Sequence, residues 1–498
     1  MKNNSFNRLL IVVIAIPILI FSVLFFADVF KNEESSQTES AESAQLLESS
    51  ENVSNYIENI SEDDNSEAIS EDDIVVPESI SFEQIKLEIY TDTLNHLVFN
   101  MYPIYANRAC IEWSSDNPSV VTIVDNQVTG ISEGTAIITA KVKGRENIET
   151  KCEITVIQNE IIKFKDAKFE QIIKEYIGVP DRDIKKSDIV EFKGFDDYLN
   201  YAAPGSLDDL KYCPNIQELQ LNLTDVDDLS PLAYCKKLEY LVIVGLTPAT
   251  DISVLSQLPN IETLFIYNMK ISDTTPLKSL KNLNDLRLIN TGIKDIEFIF
   301  HLDNLETALL CENKITDLSP VANHPNLKSL DVSNNRIKDI STLEGCSNLQ
   351  WLCIENNEIT DISVISKLPS IRAIVATGNM IKDISSLSGK SFESVFLGNN
   401  MISDIIALSN MKSLNHLDLS SNNITTIDAI AEDTEIYFLI LDDNPISDLS
   451  PILGMKRLYT LNIWNTNVND EEISEIIRMF PNCVVNSETK YIEPEDEP

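Results

Sequence analysis

The stretch LKSLDVSNNRIKDISTLEGCSNLQWLCIENNEITDISVI, residues 327–365, carries its own ruler. Leu327, Leu330, Val332, Asn335, Ile337, Asp339, Ile340 and Leu343 return 22 residues later as Leu349, Leu352, Ile354, Asn357, Ile359, Asp361, Ile362 and Ile365. Self-similarity at this spacing is the signature of a solenoid, in which each unit makes one coil and buries its apolar side only by stacking on its neighbours.

Working outward, about twelve units begin at Ile216, Leu238, Ile261, Leu283, Leu305, Leu327, Leu349, Ile371, Phe392, Leu414, Ile436 and Leu458, with one unit a residue longer and one a residue shorter. The apolar-x-apolar core of each unit predicts a short strand with alternate side chains inward. Successive strands stack in parallel about 4.8 Å apart, so twelve make a concave sheet roughly 55 Å long. Asn313, Asn335, Asn357, Asn379, Asn400, Asn422 and Asn444 should form an inward amide ladder, donating to and accepting from backbone groups that leave the strand. Thr224, Leu246, Met269, Thr291 and Thr466 interrupt it. Asp228, Asp251, Asp273, Asp295, Asp317, Asp339, Asp361, Asp383, Asp404 and Asp448 have the look of an acidic metal comb. Their structural reading is better: each Asp, or the Ser after it, caps a short helical turn on the convex side, with Pro in the first turn of the LSP copies at 229–231, 318–320 and 449–451.

These units resemble the leucine-rich repeats of bacterial internalin-like proteins over roughly residues 160–486, and the expected fold class is an α/β leucine-rich repeat solenoid. IIKFKDAKFEQIIKEYIGVPDRDIKKSDI (161–189) resembles the helical N-terminal cap of that family, with Phe169, Ile172, Ile173 and Ile177 at helical spacing and the helix ending at Gly178-Val179-Pro180. NTNVNDEEISEIIRMFPNCVV (465–485) reads as an amphipathic C-terminal cap. The expected divisions are a cap over 159–211, repeats with the C-terminal cap over 212–486 and a loose acidic tail over 487–498.

Ahead of the repeats, residues 79–158 switch to short runs of β type: KLEIYT, CIEWSS, VVTIVD, QVTGIS, TAIITAKV and KCEITVI. Trp113, Ser114, Ser115, Asn117, Pro118, Val120, the VTG at 128–130, Gly134 and Thr135 resemble a bacterial Ig-like domain of group 2, which implies an all-β sandwich serving as spacer or binding module. Residues 28–78 are dominated by Ser, Glu and Asp and read as a disordered acidic spacer; SEDDNSEAISEDD lacks the turn glycine of an EF-hand loop. Residues 9–27 form an uncharged apolar run of 19, spanning about 28 Å as a helix, enough for a membrane anchor. A cleaved signal peptide is the competing reading, although Phe25 spoils the small-x-small pattern before Ala27. Lys2 and Arg8 keep residues 1–8 cytoplasmic and place the rest outside. The expected location is therefore the cell membrane, single-pass, or secretion if the run is cleaved.

A net charge of −41 argues against nucleic-acid partners. His96, His301, His324 and His416 have no metal-ligand spacing, SGKS at 388–391 has Ile384 where a phosphate loop needs glycine, and no hydrolase motif occurs, so neither an enzyme nor a cofactor is expected. Cys213, Cys235 and Cys346 share a buried register with Leu258, Leu280 and Leu302; buried thiols, a Cys213–Cys235 bridge and a Cys110–Cys152 bridge all stay open. The informative positions are those the coil does not require. Tyr240, Val242, Phe265, Tyr267, Leu309, Trp351, Val375, Phe396, Phe438, Ile440 and Trp464 fall on outward columns of the concave face, where contiguous apolar surface marks a partner site. The internalin-like resemblance implies a protein ligand, from a host or from the bacterium. The alternatives are a cell-envelope scaffold and a glycan binder stacking sugars on the same aromatics.

Overall fold

The computed structural model describes residues 75–194, 204–223, 226–487 and 490–492; the expected anchor (9–27), nearly all of the acidic spacer, Thr224 and residues 493–498 lie outside them. Among the described residues no helix is long and apolar enough to cross a membrane. The chain divides into two compact units.

Of the described residues, the smaller unit joins 75–80 with Met101–Ile111 and Val142–Ile148. The Glu78 amide donates to Tyr102 O (2.7 Å) and Lys143 N to Cys110 O (2.8 Å).

The larger unit holds the other described residues. Its first part contains residues 86–90, 149–157, 134–141 and 112–115, in that order, of a four-stranded sheet, and a three-stranded sheet of Leu94–His96, Gln127–Gly130 and Val121–Val124. Each of the six β-type runs carries one of these strands. Alternation along them buries Ala136, Ile138 and Ala140 on one strand and Cys152, Ile154 and Val156 on its neighbour, as a period of two requires. Phe82, Phe99 and Trp113 pack together, Phe99 and Trp113 edge to face with centroids 4.9 Å apart and Phe82 tilted against both.

The solenoid opens with helix α1, Ala167–Tyr176, whose Phe169 and Ile173 are fully buried. Asp166 caps it by accepting from Lys168 N (2.8 Å) and Phe169 N (3.1 Å), and Gly178, at φ +73°, supplies the left-handed turn that follows it. Asp209, completely buried, accepts from Lys165 N (2.7 Å) and Asp166 N (2.8 Å) and so fastens the cap to the first coil. Twelve repeat strands, from Glu218–Asn222 to Thr460–Asn462, then pair in parallel, and Val484–Ser487 adds a thirteenth after helix α2, Asp470–Met479. Lys490–Ile492 folds back antiparallel onto Val485–Ser487, so this part of the expected loose tail is a strand.

The convex elements are 3₁₀ turns of three to five residues, such as Ser341–Gly345, rather than α-helices. A 22-residue coil that spends its residues on a strand and two corners has no room for more. All ten aspartates of the series serve these turns, though from one residue before the N-cap position rather than at it. Each accepts from the amide two residues ahead, at 2.7 to 2.9 Å, and five of these carboxyls (Asp273, Asp317, Asp339, Asp383 and Asp448) are held below the ordinary carboxylate value by the hydrogen bonds they accept.

The asparagine ladder joins repeats. Asn379 donates to Ile354 O of the preceding coil (2.9 Å) and Ala376 O of its own (3.1 Å), each just past the end of a strand, and accepts from Ile359 N (3.0 Å). Asn357, Asn400, Asn422 and Asn444 repeat this set. The early interruptions are solved differently. Leu246 is 78% exposed and is not the ladder position; the longer unit shifts that place to buried Thr247, whose hydroxyl donates to Val226 O. Met269 is fully buried, and the neighbouring amide, Ile271 N, turns to the backbone carbonyl of Thr291 (3.0 Å). All eight cysteines are free; burial pushes the Cys213 and Cys235 thiols up to about 12.

Candidate functional site: the outward face of the repeat sheet

The strand Thr263–Tyr267 shows how the face is built. Leu264 and Ile266 are fully buried, which turns Phe265 and Tyr267 to the other side of the sheet. The register carries that column through the stack: Val242 pairs with Phe265, then follow Arg287, Leu309, Asp331, Cys353, Val375, Phe396, Asp418, Ile440 and Asn462. Tyr240, Trp351 and Phe438 lie on the column before it, and Tyr267 and Trp464 on the column after. Val242 departs from the expectation of display. It is only 1% exposed, because a valine reaches less far from the sheet than the rings of Tyr240 and Phe265 beside it.

The face separates into three regions. At the N-terminal end Tyr240 and Phe265 meet edge to face at 5.7 Å, and Phe265 and Tyr267 at 6.4 Å. The Arg287 guanidinium lies 4.1 Å from the Phe265 ring centroid, a cation–π geometry, and is gripped by Asp285 through Nε (3.1 Å) and an NH₂ nitrogen (2.9 Å). Burial works against the Arg287 charge, but Asp285 outweighs it and holds the group above its ordinary value.

The middle is acidic. Burial, opposed by the Ser333 hydrogen bonds, raises Asp331; burial followed by the Asp331 and Asp418 charges raises Glu355; burial raises Asp418 and Asp442. Each Asp accepts one backbone amide: Asp331 from Ser333 (2.8 Å), Asp418 from Ser420 (2.8 Å), Asp442 from Trp464 (2.7 Å). At the C-terminal end His416 stacks on Phe438 at 5.0 Å, and Trp464 is 51% exposed. Tyr437 and Tyr459, stacked at 4.9 Å and both exposed, extend this end. They sit one position ahead of the outward columns and were missed in the sequence; their 22-residue spacing was the available signal. Leu309, Val375 and Phe396 remain on the central column between the aromatic ends, half-buried.

A second, exposed amide ladder also went unread. From Met269 onward the residue before the ladder position adopts a left-handed conformation, as at Asn268, Asn290, Asn334, Asn356, Asn399, Asp443 and Asn465. Asn290 donates to Asn268 (2.9 Å), Asn356 to Asn334 (3.1 Å) and Asn465 to Asp443 (2.6 Å). An open cleft of about 690 Å³ lies at the shortened unit, lined by Arg372, Gly389, Lys390 and Glu393, but Lys390 is committed to Leu368 O (2.8 Å) and Arg372 lies 3.5 Å from Glu393.

The coil has the form of leucine-rich repeats, and proteins built of such repeats in general mediate protein–protein interactions. Residues 303–345 match the family profile "Leucine Rich repeats (2 copies)", 325–381 "Leucine rich repeat" and 413–431 "Leucine Rich Repeat". Among solved structures the chain is similar to an internalin (InlF) of Listeria monocytogenes, at 27% identity and TM-score 0.53, covering 65% of this chain and 90% of that one. A leucine-rich repeat protein of Leptospira interrogans shares the fold at 21% identity and TM-score 0.51, covering 56% of this chain and 74% of its own. No curated protein sequence matches the chain.

Proposed function

We propose that this is an adhesin-like bacterial surface protein that binds another protein through the concave face of its repeats. In this reading residues 9–27 anchor or export the chain, residues 28–78 hold it off the membrane, and the strands of 79–158 form an Ig-like spacer. The observation that carries the reading is the row of aromatic and apolar side chains on columns the coil does not use, from Tyr240, Phe265 and Tyr267 to Phe438 and exposed Trp464. Rings set in a polar surround are the usual anchors of protein interfaces. The likeness to an internalin supports it.

Crosslinking on intact cells tests the reading. Replacing Phe265, Tyr267, Phe396 and Trp464 by Ser should abolish capture of the partner while leaving the circular dichroism spectrum unchanged; capture that survives refutes it. The identity of the crosslinked species, host protein, envelope protein or glycan, separates adhesion from envelope scaffolding and sugar binding. Protection of the repeats from protease on whole cells would refute surface display.

A further inference from the structure

The repeat sheet's outward face is predominantly acidic. On the three outward columns of the twelve strands stand Glu218, Asp285, Asp331, Glu355, Asp418 and Asp442, against Arg287 as the single arginine or lysine. Arg287 is already spent on Asp285. Among the described residues no ion pair reaches Asp331, Glu355, Asp418 or Asp442; their side-chain partners are neutral donors, Asn356 Nδ2 to Glu355 (3.1 Å), Ser333 and Cys353 to Asp331 and Ser420 to Asp418. They are nevertheless packed close enough to repel: Glu355 feels Asp331 and Asp418, and Asp442 feels Asp418 and Asp443. Half-buried carboxylates without a counter-charge are costly in a surface whose scaffold does not need them. A ligand's cations would remove that cost.

We infer that the occupant of the concave face is a cationic stretch of another protein, its Lys or Arg side chains set against Asp331, Glu355, Asp418 and Asp442, with an apolar neighbouring part on Phe265 and Tyr267. This rests on the protein-binding reading above and narrows it. The four acids span five repeat steps, about 24 Å, and the aromatic end lies three steps, about 14 Å, before Asp331. A partner would therefore present its basic residues over some seven or eight extended positions, beginning about four positions from its apolar anchor. A metal ion does not fit, since among the described residues no three ligating side chains converge. A second copy of a chain with net charge −41 would be repelled.

The test titrates the full-length chain with deca-lysine and with deca-glutamate at about 0.15 M salt, where the Debye length is about 8 Å and distant charge is screened. Tryptophan emission is followed, with Trp351→Phe identifying the share of Trp351, which lies on the strand leading to Glu355. Deca-lysine should change the Trp351 emission and deca-glutamate should not. D331N/E355Q/D418N/D442N should weaken binding at least tenfold, roughly 0.4 kcal/mol or more per carboxylate. D303N/E344Q/E471Q/E475Q, which removes equal charge from exposed sites off the face, should change it less than about twofold. If the first variant fails to fold, E355Q/D442N, the less enclosed pair, should still weaken binding about threefold. No change in Trp351 emission, or equal weakening in both quadruple variants, overturns the inference. A partner captured on cells by the acid variant but not by the aromatic variant would leave protein binding standing and remove the cationic partner. Capture by both variants would remove the protein-binding reading itself.

Discussion

Asp433 occupies the buried register that holds Cys213, Cys235, Leu258, Leu280, Leu302, Met411 and Met455 in other coils. It is completely buried, and neither carboxylate oxygen makes a regular hydrogen bond. Burial, with the Glu432 charge adding to it and the Met411 backbone pulling the other way, pushes the carboxyl from an ordinary 3.8 up to about 6. The folded chain therefore binds this proton more tightly than the unfolded chain. Its share of stability is fully present below about pH 4, declines as pH rises to about 6, and stays lost above that. The interval corresponds to about 3 kcal/mol at most, and about 1–3 kcal/mol after water penetration and relaxation. Asp433→Met, the residue found one repeat away on either side, removes the charge without adding a shape foreign to this column. Urea unfolding of wild type and variant, with hydrogen exchange of the 411–455 amides as a local reading, should show equal stability near pH 4 and a variant more stable by about 1–3 kcal/mol at pH 7. Parallel stability curves across that range would refute the reasoning, because they would mean that Asp433 titrates alike in both states.

His324 holds the same register and should show the opposite sign. Burial lowers its pKa, its Nε2 lies 2.9 Å from Leu302 O and its Nδ1 is unpartnered, so stability should fall as pH drops below about 6.5, and His324→Leu should remove that fall in acid unfolding curves. Asn379→Ala leaves the Ile359 amide unpaired, while the Ile354 and Ala376 carbonyls keep Asn357 and Asn400 as donors, and should cost roughly 1–3 kcal/mol, read as faster exchange in the 354–381 amides; exchange unchanged there would mean the ladder is dispensable. The thiols of Cys213 and Cys235, pushed up to about 12, should resist an aromatic disulfide reagent at pH 8 in the folded chain and react once urea unfolds it; rapid reaction in the folded state would contradict their burial. The aspartate caps, held below the ordinary carboxylate value, should loosen as pH falls below about 4, seen as convex-side exchange rising before the strands open.

Much of the coil was legible because its requirements are local and repeat. Leu330 and Val332 must point inward, Asn335 must serve carbonyls that leave the strand, and Asp339 must catch the amide two residues on; each demand falls on one residue type at one offset. Where the unit changes length the same logic misplaces a residue, as with Leu246 and Thr247, because an added residue moves the corner and only the three-dimensional path shows where the buried hydroxyl comes to rest. The paired asparagines of SNN and ENN carry two tasks in adjacent letters, and the sequence exposes one of them. In Asn334-Asn335 and Asn356-Asn357 the second Asn, half-buried or buried, bridges coils; the first is exposed and left-handed, and the bond from Asn356 to Asn334, 22 residues away, depends on backbone angles that no pattern of polarity records.

The face is different in kind. Its columns could be listed from the period alone, since a two-residue alternation fixes which side chains leave the core. What they do together could not. Phe265 meets Arg287 across a strand pair, and Glu355 feels Asp418, three repeats on, through space rather than through the chain. The coil tolerates any side chain at these positions, so it neither favours the aromatic end nor explains the unpaired acids. That indifference makes the face informative. A buried leucine reports on the fold, whereas four half-buried carboxylates without a cation report a cost that folding alone leaves unrelieved, and the molecule that relieves it is the one the face is shaped to meet.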